Sequence, residues 1–139
     1  MKKTIKTRQA VSAYNVARSL KFGKVERGDV FTLLRATNAL KPTVTAYEDF
    51  VKDAQERLKP EDYDRIAAKY QAKEELTAKE QAVAKKYNKD LNDLMEAELE
   101  KVVEVEYEPL GEDGLYALAA ANENLMLEAM ALMQEMFCE

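Results

Sequence analysis

The sequence predicts a mainly α fold: an elongated helical hairpin or bundle with a kinked long helix and one short β-strand near residues 102–108. Three observations predict it. Four glycines and three prolines in 139 residues leave too few turn formers for a many-stranded sheet. Apolar residues make up 47% of the chain against 34% charged, a balance that supports a packed core rather than disorder. Apolar side chains also recur at helical spacing along most of the chain. A chain of this length is expected to form one helical domain, residues 1–139. Its segments are a basic helix and loop (1–28), a long helical hairpin (29–101) and a strand with C-terminal helices (102–139).

The first helix is predicted from Thr7 to Leu20, with Ala10, Ala13, Tyr14, Ala17 and Leu20 on one stripe and Gly23 as its closing glycine. The second is the strongest local signal. Val30, Leu33, Thr37, Leu40, Val44, Tyr47, Val51, Ala54 and Leu58 alternate in steps of three and four, which is a coiled-coil-like seam. Pro42 interrupts the backbone hydrogen bonding there, yet the seam keeps its phase across it. One kinked helix is therefore expected, on the order of 40 Å long. Pro60 and the acids beside it open a shorter helix with Tyr63, Ile66, Ala67 and Tyr70 inward. Thr77-Ala78-Lys79-Glu80 matches a capping box, so a separate helix is expected from Ala78 to Lys101. A single helix over 60–101 is the competing prediction, since it contains no later glycine or proline.

From Val102 the period changes to two. Val103, Val105 and Tyr107 alternate with Glu104, Glu106 and Glu108, the pattern of a half-buried strand. Its backbone needs a partner, and residues 21–26 or a second copy of the chain are the candidates. Helices over 114–121 and 123–137 follow, with Asp113 and Asn122 as expected N-caps.

The chemistry is bounded by what is missing. The chain has no histidine, which removes Ser-His-Asp and Cys-His arrangements, most zinc sites and Glu-x-x-His di-iron pairs. No glycine-rich phosphate loop is present. No catalytic, cofactor-binding or metal site is predicted, and no small-molecule substrate is evident. The glutamates at 104, 106 and 108 are expected to be a solvated face that discourages pairing with strangers. Cys138 is the single cysteine. It is expected at an exposed end, with Glu135 and Glu139 raising its pKa. No secretory leader or membrane span is predicted, so the cytoplasm is the expected location.

Charge is divided between the ends. Residues 1–41 carry ten Lys/Arg against two acids, and residues 94–139 carry Lys101 alone against twelve. Either the two ends neutralise each other within the fold, or one of them meets a charged partner. Partner binding is assigned to Val103, Val105 and Tyr107 on the strand and to the soft stripe Met126, Met130, Met133 and Phe137. The alternative is a nucleic-acid-binding regulator whose basic segment contacts phosphates through Lys2, Lys3, Lys6 and Arg8. An overall acidic chain without a base-reading module makes that the weaker expectation.

The layout also carries a resemblance. A basic helical start leads to Leu40-Lys41-Pro42 and to the run from Tyr47-Glu48-Asp49-Phe50 to Leu58-Lys59-Pro60. A long polar helix, Val103-Glu104-Val105-Glu106, the stretch Leu118 to Asn122 and a closing helix follow. This arrangement resembles small helical proteins of unknown function encoded by phages and by prophages in gut bacteria. The resemblance covers most of the chain, rests on layout and composition, and carries no functional residue. It implies a phage-related accessory or assembly role, for a cytoplasmic protein whose partner is another protein or a second copy.

A buried Leu or Val at the 30–58 seam contributes about 1.5–3 kcal/mol. Leu40→Asp and Val51→Asp are therefore expected to unfold the protein. A circular-dichroism melt unchanged by both substitutions would contradict the seam.

Overall fold

The strand expected after Val102 forms, and its partner lies at the other end of the chain. In the computed structural model, which describes residues 1–139, β1 (Lys2–Lys6) runs antiparallel to β2 (Val102–Glu106) as a two-stranded sheet. Residues 21–26, one of the two expected partners, form a turn instead. The single expected strand is thus one of two. Only Ile5 of β1 is an apolar residue aimed inward, so alternation is too weak to announce that strand in the sequence.

Six helices hold 69% of the residues, making the fold mainly α. They are α1 (Thr7–Arg18), α2 (Arg27–Leu58), α3 (Tyr63–Gln71), α4 (Ala78–Leu99), α5 (Glu112–Ala121) and α6 (Leu127–Phe137). None is long and apolar enough to cross a membrane. Packing divides the chain into two units. The first comprises Met1–Ala46 and Glu100–Glu139, the second Tyr47–Leu99. α2 supplies residues to both.

In the first unit, α1 lies against α6. Ala10, Ala13 and Ala17 make a stripe of small buried side chains there, which lets a neighbouring helix approach closely. The core joins that stripe to Ile5, Val105 and Tyr107 from the sheet, to Leu110 and Leu118, and to Met133, Met136 and Phe137. Leu33, Ala36 and Leu40 of α2 belong to the same core. The 30–58 seam therefore does not meet one partner helix along its length, because its first part serves this unit. α2 runs unbroken through Pro42. The lost hydrogen bond is tolerated because Pro42 itself faces solvent while Leu40 and Val44, on either side, are buried.

The connection after α1 is not the expected glycine stop. α1 ends at Arg18 with Ser19 as its cap, and Gly23 sits later, at φ +51° in the turn. A Cβ at Gly23 would lie 2.9 Å from Ala121 Cβ, so this turn passes tight against the end of α5. Asn122 locks the two together: its Oδ1 accepts from the Lys21 N–H at 2.8 Å and its Nδ2 donates to the Lys21 carbonyl at 2.7 Å. Asn122 thus closes α5 rather than opening α6, which starts after Met126. Asp113, expected as an N-cap, lies inside the first turn of α5, where its carboxylate meets the positive end of the helix dipole; the cap is Gly111.

In the second unit, α3 and α4 form as two separate helices, as the capping box predicts, and the competing single helix over 60–101 does not form. The break has a local cause. Lys73 takes φ 59°, the Glu74 N–H reaches the Lys69 carbonyl at 2.9 Å, and the Lys73 N–H reaches the Tyr70 carbonyl at 3.1 Å. These are the two bonds of a Schellman stop, here with lysine where glycine is usual. The capping box then forms as expected. Thr77 Oγ1 accepts from the Glu80 N–H at 3.1 Å, and Glu80 Oε1 accepts from the Thr77 N–H at 3.0 Å. Lys69 Nζ lies 3.2 Å from both oxygens of the buried Glu80, hydrogen-bonding Oε1 and meeting Oε2 by charge alone. The Thr77 amide, with Lys69, holds the Glu80 carboxyl below its usual range. The Tyr63 and Tyr87 rings pack at 4.5 Å between centroids, and the Tyr87 hydroxyl donates to the Gln55 carbonyl of α2 at 3.4 Å.

Thr77→Ala is expected to lower stability by about 1 kcal/mol through loss of this cap. Because the Glu80 pKa is lowered by folding, the stability Glu80 contributes is present above its unfolded pKa and is lost as pH falls through the folded value. Urea melts at neutral and acidic pH check both: the deficit of Thr77→Ala should shrink once Glu80 is protonated.

Candidate functional site

The two sets of residues singled out in the sequence, the basic start and the acidic strand, face each other in one sheet. Register sets Lys2 opposite Glu106, Thr4 opposite Glu104 and Lys6 opposite Val102. All six of these residues are exposed. Ile5, Val103 and Val105 lie on the other face, toward the core. Lys6 Nζ lies 2.7 Å from Glu100 Oε2, and Arg8 lies 3.6 Å from Glu100 Oε1. The Lys6 hydrogen bond holds the Glu100 carboxyl below its usual range. Lys3 Nζ donates to the Glu135 carbonyl, and Gln9 Nε2 donates to Glu135 Oε1 at 3.2 Å.

These contacts alter the nucleic-acid assignment. Lys3, Lys6 and Arg8 are engaged by groups of the chain's own acidic end, and Lys2 lies across from Glu106. Residues 1–46 carry a net +8 and residues 100–139 a net −9, so the first unit stands at −1. A near-neutral unit lacks the strong positive field that draws phosphates. The exposed ion pairs each contribute little stability. Their effect is on where charge is available.

The partner-binding residues divide by burial. Val105 and Tyr107 are buried, and Met133 and Phe137 are fully so, which places all four in the core rather than on a docking surface. Val103 and Met130 are half-buried. The physical reason is the sheet: once β2 has β1 beside it, its apolar face is covered by the C-terminal part of α6 and the alanine stripe of α1. The Tyr107 hydroxyl donates to the Met136 carbonyl, and burial pushes its pKa up to about 12. Cys138, expected at an exposed end, is buried. It sits in a parallel bridge with Leu110, and burial pushes its thiol pKa up, with Glu112 adding to the rise.

Among the residues assigned to partner binding, Met126 stays open at 70% exposure, and Leu127 beside it reaches 84%. Tyr116 on α5 is 77% exposed. Phe22, in the turn held against Asn122 and Ala121, is 39% exposed. Leu127 and Tyr116 were not predicted. Stripe position does not separate outward from core residues here: Met126 lies on the Met126-Met130-Met133 stripe yet is exposed, and Met136 lies off it yet is buried. Residues 112–139 carry six acids and no Lys or Arg. In the second unit, an apolar groove of about 640 Å³ between α3 and α4 is lined by Tyr63, Ile66, Tyr70, Leu76 and Ala84 among others.

No family model, curated protein or solved structure matches this chain.

Tyr107→Phe is expected to cost about 1 kcal/mol through loss of the Met136 hydrogen bond. Because its pKa is raised by folding, Tyr107 contributes stability below pH 10 that is lost as pH rises toward about 12. Denaturant melts across that range should show the wild type losing stability more steeply than Tyr107→Phe.

Proposed function

We propose that this chain is a non-enzymatic protein-interaction protein that self-associates, an accessory or assembly factor of the phage-related kind that its layout resembles. The observation that carries this reading is the apolar corner at the start of α6. Met126 and Leu127 are consecutive, large and mostly in water, with Tyr116 of α5 also exposed. Isolated exposed apolar residues are ordinary, but adjacent ones on a well-packed unit mark a surface that a partner covers. The same corner on a second copy can meet it in an isologous pair that closes at the dimer. The alternative, a nucleic-acid regulator, draws less support because the cations it needs are engaged by Glu100 and Glu135.

The double variant Met126→Glu/Leu127→Glu is expected to melt like the wild type, since neither side chain is in the core, and to associate at least tenfold more weakly in sedimentation velocity. A wild type that stays strictly monomeric at both low and high ionic strength would overturn the reading.

A further inference from the structure

The sheet has only two strands, so each has an outer edge. Which backbone groups face those edges follows from the hydrogen bonds at its ends. The Thr7 N–H bonds the Lys101 carbonyl at 2.8 Å, and the Tyr107 N–H bonds the Met1 carbonyl at 3.0 Å. Odd-numbered residues therefore form the inward hydrogen-bonded pairs, and residues 2, 4 and 6 and 102, 104 and 106 direct their N–H and C=O groups outward. On β1 the Lys6 N–H is taken by Gln9 at 2.9 Å, which leaves Lys2 and Thr4. A groove of about 340 Å³ lies against β1, lined by Lys2, Thr4, Ile5, Gln9, Glu135 and Met136.

The two edges differ in sign. β1 presents Lys2 and a Lys6 already paired with Glu100 of its own copy, and β2 presents Glu104 and Glu106. Pairing two β1 edges would set lysine against lysine, and pairing two β2 edges would set glutamate against glutamate. Charged edges of this sort block like-with-like pairing. They do not block pairing of unlike edges. The β2 edge of one copy can accept the β1 edge of another in the register already used inside the chain, with Lys2 again opposite Glu106.

We infer that the β1 edge of one copy and the β2 edge of a second are complementary docking surfaces, and that copies add head to tail by extending the sheet. The inference rests on the self-association proposed above and names a second contact for it. Its consequence is different from that of the apolar corner. An isologous corner closes at a dimer, whereas a head-to-tail edge leaves one edge unsatisfied at each end and continues as a ring or filament.

Sedimentation velocity on the full chain tests it. At low salt the wild type should form species larger than dimers, growing with concentration. Near 1 M salt, where the Debye length is about 3 Å, growth should stop. Thr4→Pro and Glu104→Pro each remove one outward N–H without touching an inward bond, a position where edge strands tolerate proline. Each alone should melt like the wild type and stop at dimers. An equimolar mixture should regain growth, because each variant supplies the edge that the other lacks. If a proline variant fails to fold, Glu104→Lys replaces it, since Thr4 lies opposite and no cross-strand ion pair is lost; it should also stop at dimers. Dimers in the wild type that never grow, folded edge variants that assemble like the wild type, or a mixture no larger than its components would each overturn the inference. Those outcomes leave the corner reading standing, whereas a wild-type monomer removes both.

Discussion

The first unit depends on one antiparallel pairing between strands of five residues that lie at opposite ends of the chain. Residues 7–101 separate them, so the loop-closure entropy of that separation has to be met before any contact forms. What meets it is the core beneath. Ile5, Val105 and Tyr107 turn to one side, and α1 and α6 cover them with alanines, methionines and Phe137. Tyr107 links the sheet to the end of α6 through the Met136 carbonyl, and Leu110 extends that link to Cys138. Without the pairing, the apolar faces of α1 and α6 would have no lid.

The same pairing accounts for the chain's charge pattern. Ten Lys/Arg near the start and ten acids from Glu100 onward would repel if each end stood alone. Folding brings them together, with Glu100 between Lys6 and Arg8 and Glu135 beside Lys3 and Gln9. These exposed pairs are weak in energy, yet they decide which cations remain available to a partner. Charge complementarity that joins the two strands within one copy is also what distinguishes one sheet edge from the other.

The second unit is organised by local signals. A Schellman stop at Lys73 and a capping box at Thr77 and Glu80 separate α3 from α4 within a few residues. Glu80 is buried, with Oε1 accepting from the Thr77 amide and Lys69 while Oε2 meets Lys69 by charge alone. Its tyrosines pack against one another and leave an apolar groove between α3 and α4.

The sequence by itself determined the mainly α class, the unbroken 30–58 helix, the capping box and the existence of a strand after Val102. These rest on periodicity and on hydrogen bonds between residues at most a few positions apart, so local order encodes them. Only the tertiary structure decided that β2 pairs with Lys2–Lys6, that Asn122 clasps Lys21, that Cys138 is buried, and that Met133 and Phe137 are core while Met126 and Leu127 are not. Each of these depends on which segments, tens of residues apart or about a hundred, come to lie side by side. A stripe of methionines has the same spacing whether a sheet covers it or water does, and that choice is made by packing.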